Sequence, residues 1–234
     1  NGTAQGGHAQ GDSFSGIENL VGSRFNDILA GDPGANVLDG RQGADVLSGG
    51  DGDDTLIGGA GGDTLNGFGG SDTASYTGSG AGVTVRLFNG TAQGGHAQGD
   101  SFSSIENLIG SANADDLAGD GGSNTIEGGA GADSINTGSG TDTMIGGYGN
   151  DTLRGGPGAD IFVFVRGDGA DTIKDWDDGQ DQLDLTAFSF ASFSDVDAKA
   201  SDTSAGLEIA FGASDSITIE SLVKADFASG DVIL

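Results

Sequence analysis

The chain has 234 residues, of which 48 are glycine and 36 acidic against eight basic, for a formal net charge of −28. That balance argues against nucleic acid and anionic membranes as partners, and the absence of cysteine excludes a disulfide framework and thiolate metal sites. Only 35% of residues are apolar and no stretch approaches the length of a transmembrane helix, so an ordinary globular core throughout is excluded as well.

The chain opens with NGTAQGGHAQGDSFSGIENLVG, residues 1–22, and repeats it at 89–110 with changes only at Gly16/Ser104 and Val21/Ile109. From Gly22 to Ser75 it reads in nines: GSRFNDILA, GDPGANVLD, GRQGADVLS, GGDGDDTLI, GGAGGDTLN, GFGGSDTAS. The sixth place of each nine holds Asp27, Asn36, Asp45, Asp54, Asp63 and Asp72, and the eighth holds Leu29, Leu38, Leu47, Leu56, Leu65 and Ala74. A second block, Gly110 to Val163, places Asp115, Asn124, Asp133, Asp142, Asp151 and Asp160 sixth. Its eighth places are Leu117, Ile126, Ile135, Met144, Leu153 and Phe162. The blocks share the 88-residue offset of the flanking copies, so segment and block together form one repeating unit.

Residues 76–109 interrupt the register. Gly82–Phe88 alternates as a strand, Asn89–Gly99 reads as a glycine-rich turn, and Ser103–Leu108 reads as a strand or short coil that re-enters the repeats. No counterpart of the Gly82–Phe88 run precedes Asn1. The first unit therefore starts in its middle, and the expectation is a C-terminal piece of a longer protein, with a catalytic or adhesive domain upstream of Asn1. From Ile161 glycine thins out, and seven of the twelve phenylalanines and the one tryptophan lie between there and Leu234. Runs at 161–165, 181–185, 207–211 and 217–219 alternate like half-buried strands. The predicted organisation is a truncated first unit 1–75 with block 22–75, a second unit 76–163 with connector 76–109 and block 110–163, and a C-terminal β cap 164–234 covering the open edge of the repeats.

The GGxGxD turn followed by a three-residue strand resembles the glycine-rich nonapeptide of the RTX (repeats-in-toxin) family. The stretch GADIFVF…DTIKDWDDGQDQLDL resembles the C-terminal region of secreted serralysin-like metalloproteases. The resemblance implies an all-β fold, a parallel β-roll (β-helix) in two blocks with a β cap, and Ca2+ as cofactor. Calcium takes six to eight oxygens, and a glycine turn can aim successive carbonyls at one centre. Two nines make one coil, so turns on one edge lie 18 residues apart. The expected ligand pairs are Asp27/Asp45, Asn36/Asp54, Asp45/Asp63, Asp54/Asp72, Asp115/Asp133, Asn124/Asp142, Asp133/Asp151 and Asp142/Asp160, for roughly eight ions. The two pairs with Asn36 or Asn124 carry one charge fewer and are expected to bind more weakly. Carbonyls of Gly50, Gly52, Gly59, Gly61, Gly129, Gly131, Gly147, Gly149, Gly156 and Gly158 are expected to complete the shells. The rival reading, a flexible Gly/Ser/Asp linker, does not account for a strict ninefold register kept twelve times, although without calcium the mutual repulsion of aligned carboxylates should expand the chain.

The last residues, Asp231-Val232-Ile233-Leu234, end the chain with an acid and three apolar side chains. The family resemblance makes them an uncleaved signal for a type I secretion ABC exporter, which places the protein outside a Gram-negative cell or at its surface; the plainer reading, a final cap strand, is compatible. Little points to catalysis. No HExxH is present, and neither His8 nor His96 belongs to a nucleophile motif such as GxSxG; both are expected to be solvated turn residues. Asp51–Asp54 is explained by the repeats, and DWDDGQD at 175–181 reads as either an extra calcium site or a cap loop, of which the loop is favoured. The leading function is a non-catalytic calcium-binding module that folds outside the cell and supports secretion and stability of a larger protein. Two rivals are a segment of a repetitive RTX adhesin or surface-layer protein, and a polysaccharide-binding accessory module similar to those of secreted alginate epimerases.

Overall fold

Each nine spends its first residues on a turn and its last three on a short strand whose central side chain faces inward, and four of these strands run on into the next turn. In Thr55–Ile57, for example, Leu56 is wholly buried while Thr55 and Ile57 are half-exposed. Successive strands run on opposite sides of a narrow coil, so that strands two nines apart stack in register. The protein, a computed structural model, is described over residues 2–5, 12–14, 16–212 and 214–234, which form two compact units, Asn1–Ala112 and Asn113–Leu234. His8 lies outside the described residues.

In the first unit one sheet stacks Ile28–Ala30, Val46–Asp51, Thr64–Gly69 and Ser101–Ser103 in parallel, aligning Leu29, Leu47, Leu65 and Phe102. Gly2–Gln5 joins its far edge antiparallel and pairs in turn with Asp12–Phe14. The facing sheet stacks Asn19–Val21, Val37–Asp39, Thr55–Ile57, Thr73–Ser75 and Asn107–Ile109, aligning Leu20, Leu38, Leu56, Ala74 and Leu108. Between Ser75 and Ser101 the chain leaves the coil. It makes a hairpin of Thr84–Arg86 and Thr91–Gln93, then re-enters as two further parallel strands. The stretch 89–99, expected as a turn, is thus partly strand. Gly90, in the left-handed region at φ 68°, ends the 3-10 turn Leu87–Asn89, and Ala92 buries opposite Val85.

The second unit repeats the scheme. Asp116–Ala118, Ser134–Asn136, Thr152–Arg154 and Ala170–Ile173 stack on one side. Thr125–Ala130, Thr143–Tyr148, Ile161–Val163, Gln182–Asp184 and Val232–Ile233 stack on the other. The coil therefore continues past the last nonapeptide. It is closed by Ser216–Glu220, laid parallel on Ala170–Ile173, and by an antiparallel extension through Gly206–Ala210 and Ala200–Asp202. A five-residue helix, Phe193–Asp197, is the one α-helix among the described residues. Here the aromatic residues collect: Phe188 lies 4.2 Å from Phe211 and 5.8 Å from Phe190 by ring centroid, and Phe193 packs on Phe227.

The twelve eighth-place side chains form the core of the coils, all at 3% exposure or less. Burying a Leu-sized side chain contributes about 1.5–3 kcal/mol. One such residue per nine is a thin core, and that thinness leaves the turns to supply the rest.

Candidate metal centre

The sixth place of each nine is the last turn residue before the strand. All twelve sixth-place residues are 7% exposed or less. In each of the eight pairs expected from the sequence, the backbone N–H of the first member donates to Oδ1 of the second, from Asp27 to Asp45 at 2.7 Å through Asp142 to Asp160 at 3.0 Å. The 18-residue pairing is therefore made, at each step, by a backbone amide donating to a side-chain carboxylate.

The other carboxylate oxygen is the unusual one. Oδ2 of Asp45, Asp54, Asp63, Asp72, Asp133, Asp142, Asp151 and Asp160 is buried with no hydrogen-bond partner. These are the second members of the eight pairs, one for each. The cause lies at the second place of the nine. In the first coil of unit 1, Ser23 and Asp32 at that place donate their N–H back to Asp27 Oδ2 (2.6 Å) and Asn36 Oδ1 (2.7 Å), and Asp120 does the same to Asn124 Oδ1 (2.9 Å). In the eight nines with an orphaned oxygen the second-place residue has positive φ, which turns its amide away. Six of those residues are glycine, as at Gly59 (φ 92°), but Arg41 and Phe68 adopt φ 73° despite their side chains.

A buried carboxylate with half its acceptors unmet is costly while charged. Burial pushes Asp45, Asp54 and Asp160 up to about 6 and Asp133 up to about 7. It also raises Asp63, Asp72, Asp142 and Asp151, against the stabilising hydrogen bond each accepts from the backbone. Neighbouring carboxylates add to the effect at Asp45, and His96, half-buried in the connector, opposes it at Asp63.

A hard cation that prefers oxygen fits this arrangement. Among the described residues no three His, Cys, Asp or Glu side chains converge on one point, which turns attention to backbone carbonyls as further donors. Those are in place. A Cβ built on Gly40 would lie 2.4 Å from Asp45 Oδ2 and 2.7 Å from the Gly58 carbonyl oxygen, so first-place carbonyls line the same gap. Sequence reasoning named carbonyls at the second and fourth places and missed these. The second- and fourth-place carbonyls point up the stack: a Cβ on Gly149 would lie 1.4 Å from the Gly131 oxygen, and one on Gly147 2.1 Å from the Gly129 oxygen.

The model of the RTX calcium-binding nonapeptide repeat matches four times, over residues 12–47, 48–76, 109–144 and 137–173, which together make up more than half of the sequence. The chain belongs to the RTX calcium-binding nonapeptide repeat family. Among solved structures this RTX chain is similar to the AlgE6R3 subunit of the Azotobacter vinelandii mannuronan C5-epimerase, at 30% identity over 52% of this chain and 78% of that one, with a TM-score of 0.45. It is similar to the AlgE6R2 subunit of the same enzyme at 29% identity over 54% and 91%, TM-score 0.45. It is also similar to the extracellular lipase LipA of Serratia marcescens at 18% identity, TM-score 0.44, spanning 97% of this chain but 41% of the lipase. No curated protein sequence matches the chain.

The RTX ladder extends beyond the nonapeptides to residues that sequence reasoning missed. Asp100 Oδ1 accepts the Asp63 N–H (2.8 Å), Glu106 Oε2 the Asp72 N–H (2.9 Å), Asp171 Oδ1 the Asp151 N–H (2.9 Å) and Asp181 Oδ1 the Asp160 N–H (3.0 Å). Their spacings of 37, 34, 20 and 21 residues hide them from a ninefold count. The signal was local: Gly-Ala-Asp at 169–171 and Gly-Gln-Asp at 179–181 copy the end of the repeat turn. At two of these ends the second oxygen is satisfied within the chain. Tyr76, itself buried, donates its hydroxyl to Asp100 Oδ2 (3.0 Å), and Asp177 donates its N–H to Asp181 Oδ2 (2.8 Å). The 175–181 stretch is a loop, as expected, but one whose last aspartate takes the sixth-place role. Its Asp175 accepts the Gly155 and Gly156 amides.

Proposed function

We propose that this RTX chain is a non-catalytic module that folds around calcium outside the cell and supports the secretion and stability of a larger secreted protein. The observation that carries the reading is the set of eight buried Oδ2 atoms, one per stacked pair, each without a partner. The ligands are Asp45, Asp54, Asp63, Asp72, Asp133, Asp142, Asp151 and Asp160, with Asp27, Asn36, Asp115 and Asn124 opposite them at the start of each block. Glycine-turn carbonyls complete each shell, for roughly eight ions. Bound calcium supplies the positive charge that the buried carboxylates lack. The chain's own part is to fix Oδ1 on the neighbouring coil's amide, to turn the second-place amide aside, and to keep water out with the eighth-place row. Because each inner sixth-place residue belongs to two pairs, ordering one turn orders half of the next site, which makes folding cooperative. The C-terminal Asp231–Leu234 is the segment we assign to the type I exporter.

The test is a calcium titration of the chelator-treated chain, followed by far-UV circular dichroism and calorimetry. A cooperative gain of β signal with roughly eight ions is expected. An unchanged spectrum with no heat of binding overturns the reading.

A further inference from the structure

The first place of the nine is glycine in eleven units out of twelve, and Thr137 is the exception. A Cβ at this place collides with the sixth-place oxygen of its own nine: from 1.9 Å at Gly31 to 2.9 Å at Gly22, with 2.4 Å at Gly146 and 2.2 Å at Gly155 in the coils around Thr137. Thr137 nevertheless brings a Cβ, a methyl and a hydroxyl into this space, and it is completely buried. Its Oγ1 donates to the Gly155 carbonyl oxygen at 3.0 Å, the first-place carbonyl that elsewhere lines the gap beside the orphaned carboxylate. Asp142 Oδ2 itself keeps no hydrogen-bond partner.

The rest of this turn is built like its neighbours. Gly138 has φ 107° and turns its amide away, and Asn124 N–H bonds Asp142 Oδ1 at 2.7 Å. The same fold already uses hydroxyls to close the ladder at its ends: Ser23 Oγ on Asp27 Oδ2 at 2.8 Å and Tyr76 on Asp100 Oδ2 at 3.0 Å.

We infer that the Thr137 side chain closes the Asp142/Asp160 gap, making it a metal-free rung inside an otherwise cation-filled ladder. The inference rests on the calcium-binding reading above and refines its count. The rung would hold the second block together with a neutral side chain where the adjoining turns need a divalent ion.

The experiment compares the number of calcium ions bound at saturation by the full chain and by Thr137→Gly, counted by native mass spectrometry and calorimetry. Thr137→Gly restores the residue present at this place in every other unit and is expected to bind one ion more than the unaltered chain. The reciprocal variant Gly146→Thr is expected to bind one fewer, and it tests the same idea through a different turn. Equal counts for the chain and Thr137→Gly overturn the inference while leaving calcium binding intact. A lower count for Thr137→Gly also overturns it, because the hydroxyl would then be a ligand. If neither form binds calcium, the functional reading fails and this inference fails with it.

Discussion

Phe68 shows how closely single residues are tied to the site. It is 58% exposed, so it contributes little packing, yet its backbone sits at φ 73° so that Asp72 Oδ2 stays free of the local amide. Left-handed backbone costs a non-glycine residue about 1–2 kcal/mol, and a β-branched side chain most of all. Phe68→Gly should therefore retain every calcium ion, whereas Phe68→Val should lose the ion at Asp72; ion counting on the two variants checks this. Tyr76 makes the complementary point. Tyr76→Phe strips the donor from Asp100 Oδ2 in a buried setting, and the expected loss is about 1–3 kcal/mol of stability in saturating calcium, read by denaturant unfolding. A variant as stable as the parent would show that water replaces the hydroxyl.

At the scale of the element, each three-residue strand is too short to persist alone and is held by its neighbours above and below. The central side chain therefore carries a large share of its stability. Leu56, aligned between Leu38 and Ala74 and fully buried, should cost about 2–5 kcal/mol when replaced by alanine. Val46, on the outward face at 38% exposure, should cost no more than about 0.5 kcal/mol. Thermal melts in excess calcium distinguish the two. The closing strand Val232–Ile233 lies parallel on Leu183–Asp184 and covers what would be an open sheet edge. The terminal residues thus have a structural place whether or not an exporter reads them.

For the whole molecule the dominant quantity is charge. With the metal removed, the folded chain must hold eight buried carboxylates whose protons leave less readily than the unfolded value of 3.8 allows, at about 6 for Asp45, Asp54 and Asp160 and about 7 for Asp133. A raised folded value means that the native state binds more protons than the unfolded one between about pH 4 and about pH 7, so stability falls as pH rises through that window. Metal-free chain should consequently gain β structure on acidification from about pH 7 to about pH 4. Calcium-loaded chain should behave oppositely and lose affinity over the same range, since protons and the cation compete for the same oxygens. Circular dichroism with chelator and with calcium, across pH, checks both signs; a metal-free chain that unfolds on acidification would contradict the assignment.

The ninefold register, with the RTX resemblance that its residues carry, determined the β-roll, the inward row of eighth-place residues and the eight 18-residue pairs, because a repeat of constant length brings the same place of every second unit to the same edge. Three things were decided by tertiary structure alone. Asp100, Glu106, Asp171 and Asp181 join the ladder across irregular spacings, since the coil admits an excursion or a longer turn provided the chain returns to the same edge. Asn89–Gly99 contributes a hairpin strand because Ala92 finds Val85 to bury against. The third is which sixth-place oxygens are left unpaired. That depends on backbone φ at the second place: glycine marks six of the eight turns in the sequence, but at Arg41 and Phe68 the residue type gives no sign, and the stacking of one coil on the next imposes the angle.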